Sequence, residues 1–213
     1  MKKIFWRFKK NMKSDFEIKT NFDKYKELFL EENSKHNLIS KNDEKFLYEK
    51  HIYDSLSVKL FFEKYKIEPC KILDIGCGGG FPCVPVAMEY SDFKIVGIDS
   101  IGKKINAVKE ISEKLGLKNL ELICDRAENI INKEFDIILS RAVGDLGKIS
   151  AYAFPLLKNG GYFIAYKSRK ADEEINNAKK IINSFNAEII DIINYTLPTE
   201  EVYERNLVCI RKN

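Results

Sequence analysis

A chain of 213 residues, 45% hydrophobic and 32% charged, is long enough for one substantial core, and no apolar run in it approaches the ~18 residues that a membrane span requires. A formal net charge of +4 permits a nucleic-acid partner without demanding one. Five cysteines (Cys70, Cys77, Cys83, Cys124, Cys209) form no C-x-x-C pair, and with only His36 and His51 as histidines neither a disulfide framework nor a zinc centre is expected.

These features describe a soluble protein of a reducing cytoplasm, with no resident metal and no membrane partner. The start, Met1 to Lys13, holds six basic and no acidic residues with Phe5, Trp6 and Phe8 between them. Its apolar centre, Ile4 to Trp6, is too short for a signal peptide, and no small-residue cleavage site follows. Three readings stay open for it: a tail, a membrane-surface helix, or a segment for phosphate contacts and base stacking.

Next come helices. Phe22, Tyr25, Leu28 and Phe29 recur at helical spacing, as do Phe46, Ile52, Leu56, Leu60 and Phe61 in the stretch 46–65. His51 and Asp54 share one face of that second stretch, which suits a buried cap or an interhelix contact first and a substrate contact second. We divide the chain into a helical segment, 1–66, and a larger domain, 67–213.

From Cys70 the pattern changes. "CKILDI", "FKIVGID", "LELIC", "FDIILS" and "GYFIAYK" read as strands, and "GKKINAVKEISEKLG" reads as a helix stopped by Gly116. Such alternation predicts an α/β fold with a parallel, doubly wound sheet, whose ligands bind beyond the carboxyl ends of the strands. The first strand runs into D-x-G-x-G-x-G, Asp74 to Gly80. Gly76, Gly78 and Gly80 predict a turn where a ligand meets bare main chain, and Pro82 and Pro85 mark the start of the next helix. The dinucleotide pattern G-x-G-x-x-G fails, because Phe81 holds its sixth position. An acid at position 74 suits a ligand with an ammonium and a sulfonium better than a pyrophosphate. Asp99, ending the second strand, can accept from both ribose hydroxyls of either ligand class. Asp125 and Glu128 follow the third strand, where acidic loops also serve solubility, and Arg141 follows the fourth, as a crevice group or a surface ion-pair partner.

"ILDIGCGGGFPCVPVAM", "IDSIGKK", "DRAE", "ILSRAV" and "ERNLVCIRKN", with "NLIS" at Asn37 and "HIYDSL" at His51, resemble the bacterial 16S rRNA guanine-N7 methyltransferase family, RsmG or GidB. The resemblance runs from about Asn33 onward in the right order. It implies a Rossmann-like, mainly parallel seven-stranded sheet (a class I S-adenosylmethionine-dependent methyltransferase) behind N-terminal helices. It also implies S-adenosylmethionine as cofactor, 16S rRNA or the small ribosomal subunit as partner, and guanosine 527 of the 530 loop as target. A monomer is expected. Carried over by position, Gly76 and Phe81 match its glycine-turn contacts to the methyl donor, Ala127 and Glu128 match the loop that borders the adenine, Arg141 matches a binding-site arginine, and Asp99 begins its D-S-x-G-K pattern; Asp74, Gly78 and Gly80 join them as cofactor-binding candidates from the turn itself. Lys103 falls in its D-S-x-G-K pattern, and Cys83 replaces its usual glycine. Guanine N7 carries a lone pair and no proton, so no general base is expected; Arg141, or Lys167, would act by positioning the base through O6 or a phosphate. A methyltransferase for a small molecule or a protein, and a non-catalytic nucleotide-binding module, are the other readings; an NAD-linked enzyme is disfavoured by Asp74 and Phe81.

Overall fold

The computed structural model describes residues 21–131, 134–168 and 171–213, so the basic start Met1 to Lys13 lies outside the described residues. Helix α1 (Asp23–His36) fully buries Tyr25 and Phe29, one turn apart on the same face. Asn37 ends it at φ 50, a left-handed conformation that asparagine tolerates, with its N–H returned to the Asn33 carbonyl. Helix α2 (Lys41–Glu44) is capped by Ser40, whose hydroxyl accepts from the Asp43 N–H.

The stretch expected as one helix over 46–65 is divided. Leu47–Ile52 forms a π-helical turn, in which the Tyr53 N–H reaches back five residues to the Tyr48 carbonyl, and α3 (Tyr53–Leu56) and α4 (Lys59–Tyr65) follow. The periodicity finds the buried face in part: Ile52, Leu56 and Phe61 are in the core, Phe46 and Leu60 are half-buried, and Leu47, outside the pattern, is fully buried because the extra residue in the turn shifts the phase.

From Lys71 the elements are β1 (Lys71–Ile75), α5 (Cys83–Glu89), β2 (Lys94–Asp99), α6 (Gly102–Leu115), β3 (Leu120–Cys124), β4 (Phe135–Arg141), α7 (Leu146–Ala153), β5 (Leu157–Ser168), α8 (Ala171–Ser184), β6 (Ala187–Leu197) and β7 (Tyr203–Lys212). They make one seven-stranded sheet of order β3-β2-β1-β4-β5-β7-β6. Strands β1 to β5 are parallel, and β7 runs antiparallel between β5 and β6. This is the doubly wound, mainly parallel arrangement expected. Strands β6 and β7 add to the five read individually. Gly116 stops α6 at φ 71, as its position predicts.

Strand β1 is the pivot. It pairs with β2 on one side and β4 on the other, so the chain reverses its winding there and opens a crevice beyond its carboxyl end. Alternation sends Ile72 to a core formed with α1 and α3 to α6, and Leu73 to a second core under α7 and α8. The helical segment belongs to the first of these: Tyr25 and Phe29 pack on Phe81, with Phe29 and Phe81 ring centroids 5.1 Å apart. Fully burying one such ring contributes about 1.5–3 kcal/mol. Among the described residues no helix is long and apolar enough to cross a membrane.

Candidate functional site

The glycine turn is tied to β2: the N–H groups of Gly76 and Cys77 both donate to the Ile98 carbonyl, at 2.8 and 3.0 Å. Gly76 has φ 72, and a Cβ built on it would stand 2.3 Å from Cγ2 of Val143, so the chain after β4 packs directly on bare main chain. The Gly78 N–H donates to Oδ2 of Asp99 at 2.9 Å. Gly80 serves another purpose: a Cβ there would meet Val84 and Val108 at 2.8 and 3.0 Å, so its role is to let α5 and α6 close together beneath the turn.

Above the turn lies a cavity of about 720 Å³ at the carboxyl ends of the parallel strands. Gly76 to Gly79 and Phe81 form its floor, Asp99 to Ile101 and Asp125 to Glu128 one end, and Arg141 to Gly144 the other. Leu38, Ile39 and His51 reach it from the helical segment, and Lys148, Ile149 and Tyr152 from α7. Of the residues singled out in the sequence, Gly76, Gly78, Phe81, Asp99, Ala127, Glu128 and Arg141 line this cavity; Asp74, Gly80, Lys103 and Lys167 do not.

Asp99 is held by main chain. Its Oδ2 accepts from Gly78 and its Oδ1 from the Ile101 N–H, both at 2.9 Å, leaving further acceptor capacity on each oxygen. Beside it, Ile101 is 41% exposed, an apolar side chain left uncovered in the cavity, while Ala127 is buried in a short 3₁₀ turn. Exposure of that isoleucine is a signal that sequence reading missed.

Asp74 departs from expectation. Strand alternation carries its side chain, with that of Ile72, to the face of β1 covered by the first core, where Oδ2 accepts from the Cys83 N–H at 3.0 Å and Oδ1 has no hydrogen-bond partner among the described residues. Burial pushes its carboxyl up to about 7. Its place is beneath the turn, against the start of α5, so a full negative charge facing a cationic ligand is not what the fold provides here. Cys83, the departure from the family glycine, is fully buried; the Cβ position of Gly97 is only 3.0 Å from its sulfur, and that glycine makes the room for it.

Arg141 is occupied rather than free. Its Nη1 donates to the Lys50 carbonyl at 3.1 Å and to Oδ2 of Asp54 at 3.0 Å, and its Nη2 lies 2.7 Å from Nδ1 of His51. Asp54, 1% exposed, also accepts from Nη2 and Nε of Arg205 at 3.0 and 3.1 Å and from the Tyr195 hydroxyl at 2.6 Å. The π-helical turn therefore delivers a carbonyl and an imidazole to the end of β4, and Arg205 at the start of β7 locks the arrangement. Of the roles expected for His51 and Asp54, Asp54 takes the buried contact, while the His51 ring, 5.1 Å from that of Phe81, reaches the cavity. Burial first, and then the Arg141 charge, lower its imidazole to about 4. Lys167 is also engaged: Nζ pairs with Glu174 at 2.6 Å and donates to the Gly144 carbonyl at 2.8 Å, bracing the loop after β4.

A family model described as rRNA small subunit methyltransferase G (GidB) matches residues 18–203. The chain is 35% identical over 196 residues to the ribosomal RNA small subunit methyltransferase G of Bacillus subtilis, covering 90% of this chain and 81% of that one. The corresponding protein of Lactococcus lactis is 35% identical over 204 residues, covering 93% and 84%. Among solved structures, a methyltransferase from Pyrococcus furiosus has a TM-score of 0.59 at 16% identity, over 75% of this chain and 83% of that one. TYW2 of M. jannaschii, solved in complex with AdoMet, has a TM-score of 0.58 at 16% identity, over 75% and 77%. These two likenesses bear on the fold alone.

Proposed function

This chain belongs to the rRNA small subunit methyltransferase G family, and on that premise we propose that it transfers a methyl group from S-adenosylmethionine to N7 of guanosine 527 in the 530 loop of 16S rRNA. The observation that carries the nucleoside part of this reading is the Asp99 carboxylate, oriented by two main-chain donors at the end of β2 beside a bare glycine turn.

The cavity suits the cofactor. Its volume of about 720 Å³ lies within the ~300–1,000 Å³ usual for small-molecule sites. In this reading Asp99 takes the ribose hydroxyls, Ile101 and Ala127 flank the adenine with Glu128 at its edge, and Gly76 and Gly78 bring main chain against the methionine portion. When bound, the cofactor supplies an electrophilic methyl group and leaves as a neutral thioether.

The chain's own task is to position. Guanine N7 offers an in-plane lone pair and carries no proton, so no side chain has to remove one. His51, whose imidazole is lowered to about 4, is neutral at physiological pH and is a poor base, in agreement with that demand. Alignment of the two reacting atoms can supply up to about 7–11 kcal/mol of a barrier. Arg141 is a positioning residue here: it fixes His51 and, with its guanidinium 5.2 Å from the ring centroid of Phe81, the aromatic floor.

The test is transfer of labelled methyl groups to small-subunit particles and to naked 16S RNA lacking the modification, followed by borohydride and aniline, which cleave at 7-methylguanosine. One cut in the 530 loop is the expected result. Label in neither RNA while cofactor binding is intact would refute the assignment.

A further inference from the structure

We propose that His51 selects the acceptor base, its Nε2–H donating to O6 of the guanine whose N7 is methylated and rejecting adenine. This inference rests on the reading above that the acceptor is a guanine. Three observations carry it. A guanidinium has only donors, so Nδ1 of His51, 2.7 Å from Nη2 of Arg141, must accept, and the ring proton is confined to Nε2. That Nε2 is buried with no partner among the described residues, although the side chain belongs to the cavity wall. A buried donor left without an acceptor is costly, and a ligand oxygen removes the cost. Finally, the imidazole is wedged beside Phe81, with ring centroids 5.1 Å apart, and a half-turn of the ring would break its bond to Arg141.

A donor that cannot become an acceptor distinguishes the purines. Guanine presents two acceptors, N7 and O6, on its major-groove edge, whereas adenine replaces O6 by an amine, which would set one donor against another. Charge points the same way. The methylated base is cationic, so a neutral donor beside O6 holds it without repulsion, while a cofactor carboxylate would be matched better by a cation, and the cation here is turned toward Asp54. Position agrees as well: β4 lies two strands from β2, roughly 10 Å from the nucleoside anchor at Asp99.

The experiment compares methyl transfer to 16S RNA carrying guanosine or 2,6-diaminopurine riboside at the target, using the wild type, His51→Ala and His51→Gln. Calorimetric cofactor affinity on the same proteins reports the integrity of the site. His51→Ala should lower kcat/KM for guanosine by about 5- to 150-fold, raise the rate on diaminopurine by removing the opposed donor, and keep cofactor affinity. His51→Gln, which places an amide N–H₂ at similar reach, should recover part of the loss. Equal losses on both bases, no loss on guanosine, or a fall in cofactor affinity with the guanosine preference intact would overturn the proposal; the last would assign His51 to the cofactor. A wild type inactive on every RNA would overturn the functional reading and this inference with it.

Discussion

Replacing Asp54 with alanine strands two guanidinium groups. Arg141 and Arg205 have side chains only 10% and 20% exposed, and Asp54 accepts from both, as well as from Tyr195. Removing one partner of a buried ion pair costs about 3–5 kcal/mol, because the remaining charge keeps its desolvation penalty and loses its compensation. In a domain of this size each kcal/mol lowers Tm by about 2–4 °C, so Asp54→Ala should melt about 6–20 °C below the wild type. Urea denaturation at neutral pH gives the free energy directly, and Asp54→Ala/Arg205→Leu should recover part of the loss by removing one stranded cation. The pH dependence supplies a second check. Burial raises the Asp54 carboxyl, but Arg205 and then Arg141 outweigh it and hold the group below its ordinary 3.8. A depressed native value contributes stability that is present above the unfolded value and is lost as pH falls through the native one. The gap between wild type and variant should therefore narrow in acid. A cost under about 1 kcal/mol at pH 7, typical of an exposed pair, would refute the account of this network.

Asp74 titrates in the opposite sense: raised to about 7 by burial, it contributes stability that is complete below 3.8 and lost as pH rises through 7. Asp74→Asn should flatten the urea midpoint between those values, and an unchanged slope would place the titration elsewhere. Gly76→Ala and Gly116→Ala form a matched pair, at φ 72 and 71, but only the first would meet Val143, at 2.3 Å. Both should lose about 1–2 kcal/mol from left-handed strain, and Gly76→Ala alone should also weaken cofactor binding in calorimetry. Equal cofactor affinity in the two would dismiss the packing argument. Asp99→Ala should reduce cofactor affinity by about 10- to 150-fold, the value of hydrogen bonds to a charged group, and an unaffected Kd would remove Asp99 from the site.

Much of the sheet was legible because its signals are local. Apolar runs bounded by turn residues located β1 to β5, and Gly116 located the end of α6. Strand β6 escaped: its apolar run carries Asp191 and Asn194, and its pairing with β7 shifts register between Ile189 and Asp191. The glycine turn and Asp99 lie where spacing put them, whereas Asp74 lies beneath the turn and outside the cavity lining, a placement that alternation could not reveal in a strand buried on both faces. Neither the π-helical turn nor the Arg141 network had a local signal. Lys50 and Arg141 are 91 residues apart and Asp54 and Arg205 151 apart, so only the finished packing reveals that they meet.

The position of β7 has a consequence for the order of assembly. Although it follows β6 in the chain, it lies between β5 and β6 in the sheet, and Arg205 at its start completes the clasp on Asp54. During synthesis the open edge of β5 must wait for this strand. Until it is in place Asp54 has Arg141 as its one guanidinium partner among the described residues, and the second, Arg205, is supplied by the strand that comes last in the chain. The last strand to be made thus joins the two halves of the molecule, since its arginine reaches the helical segment at Asp54.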